Sequence, residues 1–382
     1  MKFLSRLPLM PVLLCAFALC LCIYPAESAA AAREGITLCL NLLIPSLFPF
    51  FVCSSLFIAL GLADLPGKLL NRWMRPLFGV GGSCVSALLL GAVGGYPVGL
   101  RCLDQLYHTG QCSREDTYRL SAYCNNCGPA FILGVAGAGI FGSSGAGLLL
   151  LLTHLGASVL VGLLFRFYHP PRQKSEAGSA PSPVTATAGS FTAVFPSCVR
   201  GSFSSTLNVC AYVILFSVVI RLTDCTGLLA LLSRLLLLPL PPGTNPGLCR
   251  SFVAGILELS TGIGALQGLI SSPVAFPLAA FLLGWGGLSV HCQSLPFLQH
   301  ADIPPHIYLT GKFLQGVFAA LLAFLAAPLL PALPEAASAA AFSVLYPGTL
   351  LLQREGLALW IVSGIFFLIF RKKGGKNSAS AL

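Results

Sequence analysis

Charge is what this sequence has least of. Only 9% of its 382 residues are Asp, Glu, Lys or Arg, where soluble domains carry roughly 25%. That excludes an ordinary water-surrounded domain. The short alternating segments that build membrane β-barrels are missing too, because the apolar runs are continuous. No HExxH, no phosphate-binding Gly-Lys-Ser/Thr loop and no nucleophile elbow occurs. No enzyme class is therefore indicated, and no cofactor is expected. Nor does the net charge of +10 point to nucleic acid. The basic residues sit singly or in small groups at the ends of apolar runs, with no stripe of interleaved aromatics. Charge placed that way orients helices in a bilayer.

What is present is apolar length. Hydrophobic residues make up 56% of the chain, and the mean hydropathy is +0.85. Runs near or above spanning length fall at 9–24, 46–62, 145–168, 205–220, 313–331 and 357–370. The expected fold is an all-α polytopic membrane protein with the lipid bilayer as its solvent. Most of the fifteen cysteines lie inside apolar runs, where they act as small hydrophobes. Cys124 and Cys127 form one CxxC, but neither a second pair nor histidines at ligand spacing accompany it. Packing is the better reading, and no metal is expected. The segment 1–34 reads either as a first membrane helix or as a signal sequence.

A Pro/Ser/Ala/Gly-rich stretch, "YHPPRQKSEAGSAPSPVTATAGS" at 168–190, divides the chain. The organisation expected is 1–34, a first repeat over 35–168, a linker over 169–192, a second repeat over 193–331, and a final helix with a basic tail over 332–382. Each half holds a long apolar segment, an amphipathic piece, a glycine-rich run and a broken apolar segment, in that order. The glycine-rich runs are "SALLLGAVGGYPVGLRCL" (86–103) and "SFVAGILELSTGIGALQGL" (251–269). Matching interrupted segments in two halves mark a transporter binding site. Flanking Lys and Arg residues place both termini and the linker inside, which makes the halves inverted. About eight crossings result, with the glycine-rich runs as two re-entrant hairpins.

Those runs hold the candidate chemistry. A helix broken inside a membrane exposes N–H groups on one side of the break and carbonyls on the other. The first suits a carboxylate and the second a cation; close packing through small residues is the alternative. Gly94, Gly95, Tyr96 and Pro97 form the first break. Glu258, alone among apolar neighbours, marks the second, beside Ser260 and Thr261. A carboxylate at that depth costs on the order of 3 kcal/mol on insertion scales, which makes it a candidate to bind a cation or relay a proton. Asn125 and Asn126 in "CNNCGP" offer neutral donors and acceptors, or else a helix cap. Ser289, His291 and Gln293 in "LSVHCQS" converge only if that segment is extended, because residues two apart do not share a helix face. His154 is a packed helix histidine by the same reasoning.

"PSLFPFFV", "MRPLFGVGG", "GGYPVGLRCLDQLYHTGQCSREDTYRLSAYCNNCGPAFILGVAGAGIFG" and "LLLLTHLGASVLVGLLFR" together resemble the sporulation integral membrane proteins of the YlbJ (SpoVV) type, which carry Gate, or nucleoside-recognition, domains. The resemblance covers most of 35–168 with specific motifs and 193–331 more loosely. It implies a distant relation to concentrative nucleoside transporters, with two re-entrant hairpins. It also implies movement of dipicolinic acid out of the mother cell across the outer forespore membrane. Where the family pattern has Gly-Ala-Lys, this chain has Gly99, Leu100 and Arg101, so Arg101 is a candidate substrate contact. The expected partners are a small anionic solute, with dipicolinate foremost, and a coupling proton or sodium ion at Glu258 and His291. A nucleoside permease and a non-transporting scaffold for spore assembly are the alternatives. The oligomeric state stays open.

Overall fold

The computed structural model describes residues 9–60, 72–129, 131–168 and 191–332. Among them every regular element is helical. The chain divides into two units, Met1–Glu335 and Ala336–Leu382, and the described residues all belong to the first. The linker at 169–190, the run at 357–370 and the basic tail lie outside them.

Prolines and glycines set most of the boundaries. α1 (Leu9–Ile23) ends just ahead of Pro25, which opens α2 (Pro25–Leu38), and the two are bent by 100°. Proline suits a first helical position and pushes the preceding residue away from helix. A π-helical turn, Cys39–Leu43, leads into α3 (Ile44–Ala59). α4 (Arg72–Phe78) is bent by 88° from the segment that contains α5 (Val85–Gly94). α6 (Val98–His108) and α7 (Arg114–Ser121) follow, the latter capped by Ser113, whose hydroxyl accepts from the Asp116 N–H at 3.1 Å.

A π-helix, Phe131–Ile140, precedes the long α8 (Ser144–Phe165). α9 (Phe191–Cys225) is longer still, and α10 (Leu228–Leu237) leaves several leucines exposed. α11 (Pro246–Leu257) and α12 (Leu259–Gly264) are separated by Glu258 alone. α13 (Ala275–Trp285) and α14 (Gly287–His300) are separated by Gly286, and α15 (Pro305–Ala326) closes the described bundle.

Among the described residues, four helical stretches are long and apolar enough to cross a bilayer: Ser144–Phe165, Phe191–Cys225, Ala275–His300 and Pro305–Leu330. Counting each bent pair as one span gives six. The larger number expected from sequence included 46–62, whose helix α3 has 16 residues with Pro49 inside it. It also included 357–370, outside the described residues.

The glycine-rich runs differ from expectation in one respect: they are helical. α5 packs back on α6, and α11 on α12, as two short helical hairpins. The ten residues of α5, eleven of α6 and twelve of α11, at about 1.5 Å each, reach about half of a 30 Å hydrocarbon core, and the six of α12 reach less. Glycine lowers helix stability by about 1 kcal/mol per residue, but here it lies where backbones touch. A Cβ on Gly91 or Gly99 would collide with the Cys124 carbonyl, and one on Gly262 would collide with Gly255. Similar contacts join Gly137 to Gly147 and Gly284 to Gly316. Close approach outweighs propensity.

Gly91→Val is accordingly expected to abolish recovery of monodisperse protein in detergent size exclusion, because the obstacle is backbone and cannot rotate away. Gly264→Ala, with nothing within 4 Å of the added carbon, is expected to leave recovery unchanged. Equal recovery of both variants would mean that the α5–α6 contact with Cys124 is not as described.

Candidate functional site

The hairpin tips meet at a cavity. Gly95 adopts φ +81°, and a side chain there would also press on the Gly128 backbone at 3.0 Å. The turn sends Tyr96 across to α13, where its hydroxyl donates to the Leu283 carbonyl at 2.9 Å. That carbonyl has lost its own helical partner because the chain breaks at Gly286, φ +89°. Gly286 also makes room: a Cβ there would stand 3.2 Å from the Tyr96 ring.

Glu258 answers the second break. Its backbone is extended, and its carboxylate caps α12. One oxygen accepts from the Ser260 N–H at 2.9 Å; the other accepts from the Thr261 N–H at 2.7 Å and hydroxyl at 2.8 Å. Both oxygens are engaged, yet the residue lines the cavity and retains 5% exposure. On the far side of the break, the Trp285 indole N–H donates to the Ile256 carbonyl at 3.3 Å.

The cavity between the tips has a volume of about 120 Å³. It is lined by Gly94, Gly95, Tyr96, Glu258, Ser260, Ser289 and Gln293 among mostly apolar neighbours such as Phe131, Val209 and Val213. Small-molecule sites are commonly of this kind: apolar walls with a few placed polar groups.

Of the thirteen residues expected at a site, these seven line the cavity. The other six lie elsewhere. Ser289, His291 and Gln293 do not converge, because α14 is helical from Gly287 onward. Ser289 and Gln293, four apart, share a face and a hydrogen bond of 3.2 Å. His291 turns away, with Trp285 edge-on to it and its Nδ1 3.2 Å from the Tyr308 hydroxyl. Arg101 lies on α6 over the Phe51 ring, 5.4 Å from its centroid, and does not line the cavity. Asn125 and Asn126 are fully buried one layer behind it. Pro97 and Thr261 flank the cavity without lining it.

That deeper layer centres on a residue that sequence reasoning missed. Lys312 of α15 has no exposed surface. Its ammonium donates to the Asn125 carbonyl at 2.8 Å and to Gln315 Oε1 at 2.6 Å, and stands 4.8 Å from the Tyr96 ring centroid. Gln315 in turn donates to Asn126 Oδ1 at 2.7 Å. Asn125 donates to Ser294 at 3.2 Å and to Tyr308 at 3.3 Å. His154 accepts from the Cys127 N–H at 3.0 Å, which holds the broken segment to α8. Among the described residues no carboxylate pairs with Lys312: its partners are a carbonyl, an amide and an aromatic face. A buried cation without a counter-ion is costly unless something neutralises it. The spacing that could have revealed it is Tyr308, Lys312 and Gln315, which share one helical face.

Comparison with known proteins gives the family. Residues 41–164 match the Gate family, described as nucleoside recognition. Over 327 residues the chain is 30% identical to the sporulation integral membrane protein YlbJ of Bacillus subtilis (strain 168), covering 79% of this chain and 78% of that protein. The chain belongs to the YlbJ family. No solved structure matches it. Together with its long apolar helices, YlbJ membership makes it an integral membrane protein. The Gate match takes in the first hairpin, Tyr96 and both asparagines, whereas Glu258, Gln293 and Lys312 lie beyond it. The YlbJ alignment length is therefore what spans both halves of the cavity.

Proposed function

We propose that the protein is a secondary transporter of a small anionic solute, dipicolinate in the first instance. On this reading it exports that solute from the mother cell towards the forespore across the outer forespore membrane. The observation that carries the proposal is Lys312: a fully buried amine with no carboxylate partner among the described residues, one layer behind the Tyr96 ring that lines the cavity. An anion entering that cavity supplies the missing negative charge, and its ring can lie against Tyr96. The relative's role in sporulation and the resemblance to the dipicolinate-moving family support the same choice of solute. Glu258, its oxygens already engaged with the α12 terminus, serves a coupling proton or sodium ion better than it serves an anion.

Uptake of labelled dipicolinate into liposomes containing the purified protein tests this directly. Accumulation above protein-free liposomes is expected; none would leave a scaffold. The Gate description as nucleoside recognition favours a second reading, a nucleoside permease. Under that reading, excess nucleoside abolishes the labelled uptake. Under ours it does not.

Asn126→Leu removes the acceptor for Gln315, which itself holds Lys312. Gln315 Nε2 then keeps only its longer contacts with His154, at 3.4 Å, and loss of the short bond costs about 1 kcal/mol. The variant is expected to reach the membrane but to lose most uptake. Uptake at the wild-type level would detach the deeper layer from transport.

A further inference from the structure

On the described bundle, away from the cavity, three metal-binding side chains come together. Asp104 and His108 are one turn apart on α6, and His300 is the last residue of α14. Their ligand atoms all lie within 4.8 Å of one another. Asp104 Oδ1 is 2.7 Å from His300 Nδ1 and 3.3 Å from His108 Nε2. The two imidazoles are 3.9 Å apart between centroids.

We propose that Asp104, His108 and His300 form a binding site for a first-row divalent transition metal ion, zinc foremost, which clamps the end of α6 to the end of α14. Two imidazole nitrogens and one carboxylate oxygen suit zinc and its neighbours; calcium and magnesium want oxygen alone. With metal–ligand bonds of about 2.0–2.1 Å, tetrahedral ligand atoms stand roughly 3.3 Å apart. Asp104 and His108 are already at that spacing, Asp104 and His300 need to open by about half an ångström, and the two histidine nitrogens lie within 4.8 Å.

A simple hydrogen-bonded Asp–His pair accounts for His300 but not for His108. His108 Nε2 stands 3.3 Å from the same carboxylate oxygen and 3.0 Å from the His300 carbonyl, so it donates to that carbonyl when protonated and is placed to ligate a metal when it is not. Position favours a cation further. His108 and His300 each close their helix, so two helix C-termini, both partially negative, converge there. Asp104 is nearly buried while the histidines are exposed, so the oxygen is held in place and an ion has access. α6 begins just after the Gly95–Pro97 break, and α14 begins just after Gly286, two residues before the cavity-lining Ser289. A clamp at their far ends fixes the spacing of Tyr96 from Ser289 and Gln293, whatever the solute is.

The test uses full-length, untagged protein in detergent, titrated with Co²⁺ and then Zn²⁺. One Co²⁺ per chain is expected, with the ligand-field spectrum of a nitrogen–oxygen site and no thiolate charge-transfer band, displaced by Zn²⁺. His300→Gln alters a side chain that is 65% exposed, so the variant should fold. Loss of one ligand is expected to weaken binding by at least about tenfold, and Zn²⁺ should raise the thermal midpoint of wild type but not of this variant. Three results would each overturn the site: no saturable binding by wild type, a thiolate spectrum, or equal affinity in His300→Gln.

Discussion

Lys312→Met will abolish anion uptake while leaving the protein folded. Methionine fills a similar volume, removes the charge and donates nothing. The Asn125 carbonyl and Gln315 Oε1 each lose a donor, at about 1–3 kcal/mol apiece. Against that, a fully buried cation no longer has to be kept from water, and such replacements are often neutral overall. The thermal midpoint should therefore move little. Transport of an anion drawn by that charge should fall by far more than tenfold. Lys312→Arg, which keeps the charge, should retain part of it. Uptake by Lys312→Met within about twofold of wild type would end the role assigned to this residue.

Glu258→Gln is expected to separate exchange from accumulation. The carboxylate accepts three hydrogen bonds from the start of α12, whereas an amide offers one accepting oxygen and turns N–H groups towards N–H groups. Loss of the cap costs about 1 kcal/mol, too little to unfold the protein. Loss of the charge should remove any response to an imposed proton or sodium gradient. Labelled solute should still equilibrate between the two sides of the membrane when both hold it. If the variant accumulates solute up a gradient as wild type does, Glu258 is only a cap, and the coupling site lies elsewhere.

Much of this was legible in the sequence. Sparse charge and continuous apolar runs required helices, and the breaks at Gly95–Pro97, Glu258 and Gly286 stand where glycine, proline and the isolated carboxylate put them. Glu258 beside the cavity was readable because no other acidic residue has such neighbours. The direction a side chain takes from a break was not readable. Asn125 and Asn126 are polar residues in a broken segment, but whether they face solute or protein depends on α15, which is distant in sequence. Lys312 was hidden for the same reason. At the edge of an apolar run a lysine ordinarily reaches for the interface. Here Gly311 lies so close to Ala122 that the helix is drawn inward and Lys312 with it. Arg101 was assigned by resemblance to a motif, and the helical phase of α6 carries it towards Phe51 instead.

The glycine contacts have a mechanical consequence. Where Gly137 meets Gly147, or Gly91 and Gly99 meet the Cys124 carbonyl, backbone rests on backbone, and the atoms nearest each glycine belong to no side chain. Packing that interdigitates resists sliding, because a knob must leave its hole before the next hole is reached. A smooth seam has no such detent. Displacement along it loses contact gradually, and what remains to set its rest position is the small number of hydrogen bonds that cross it.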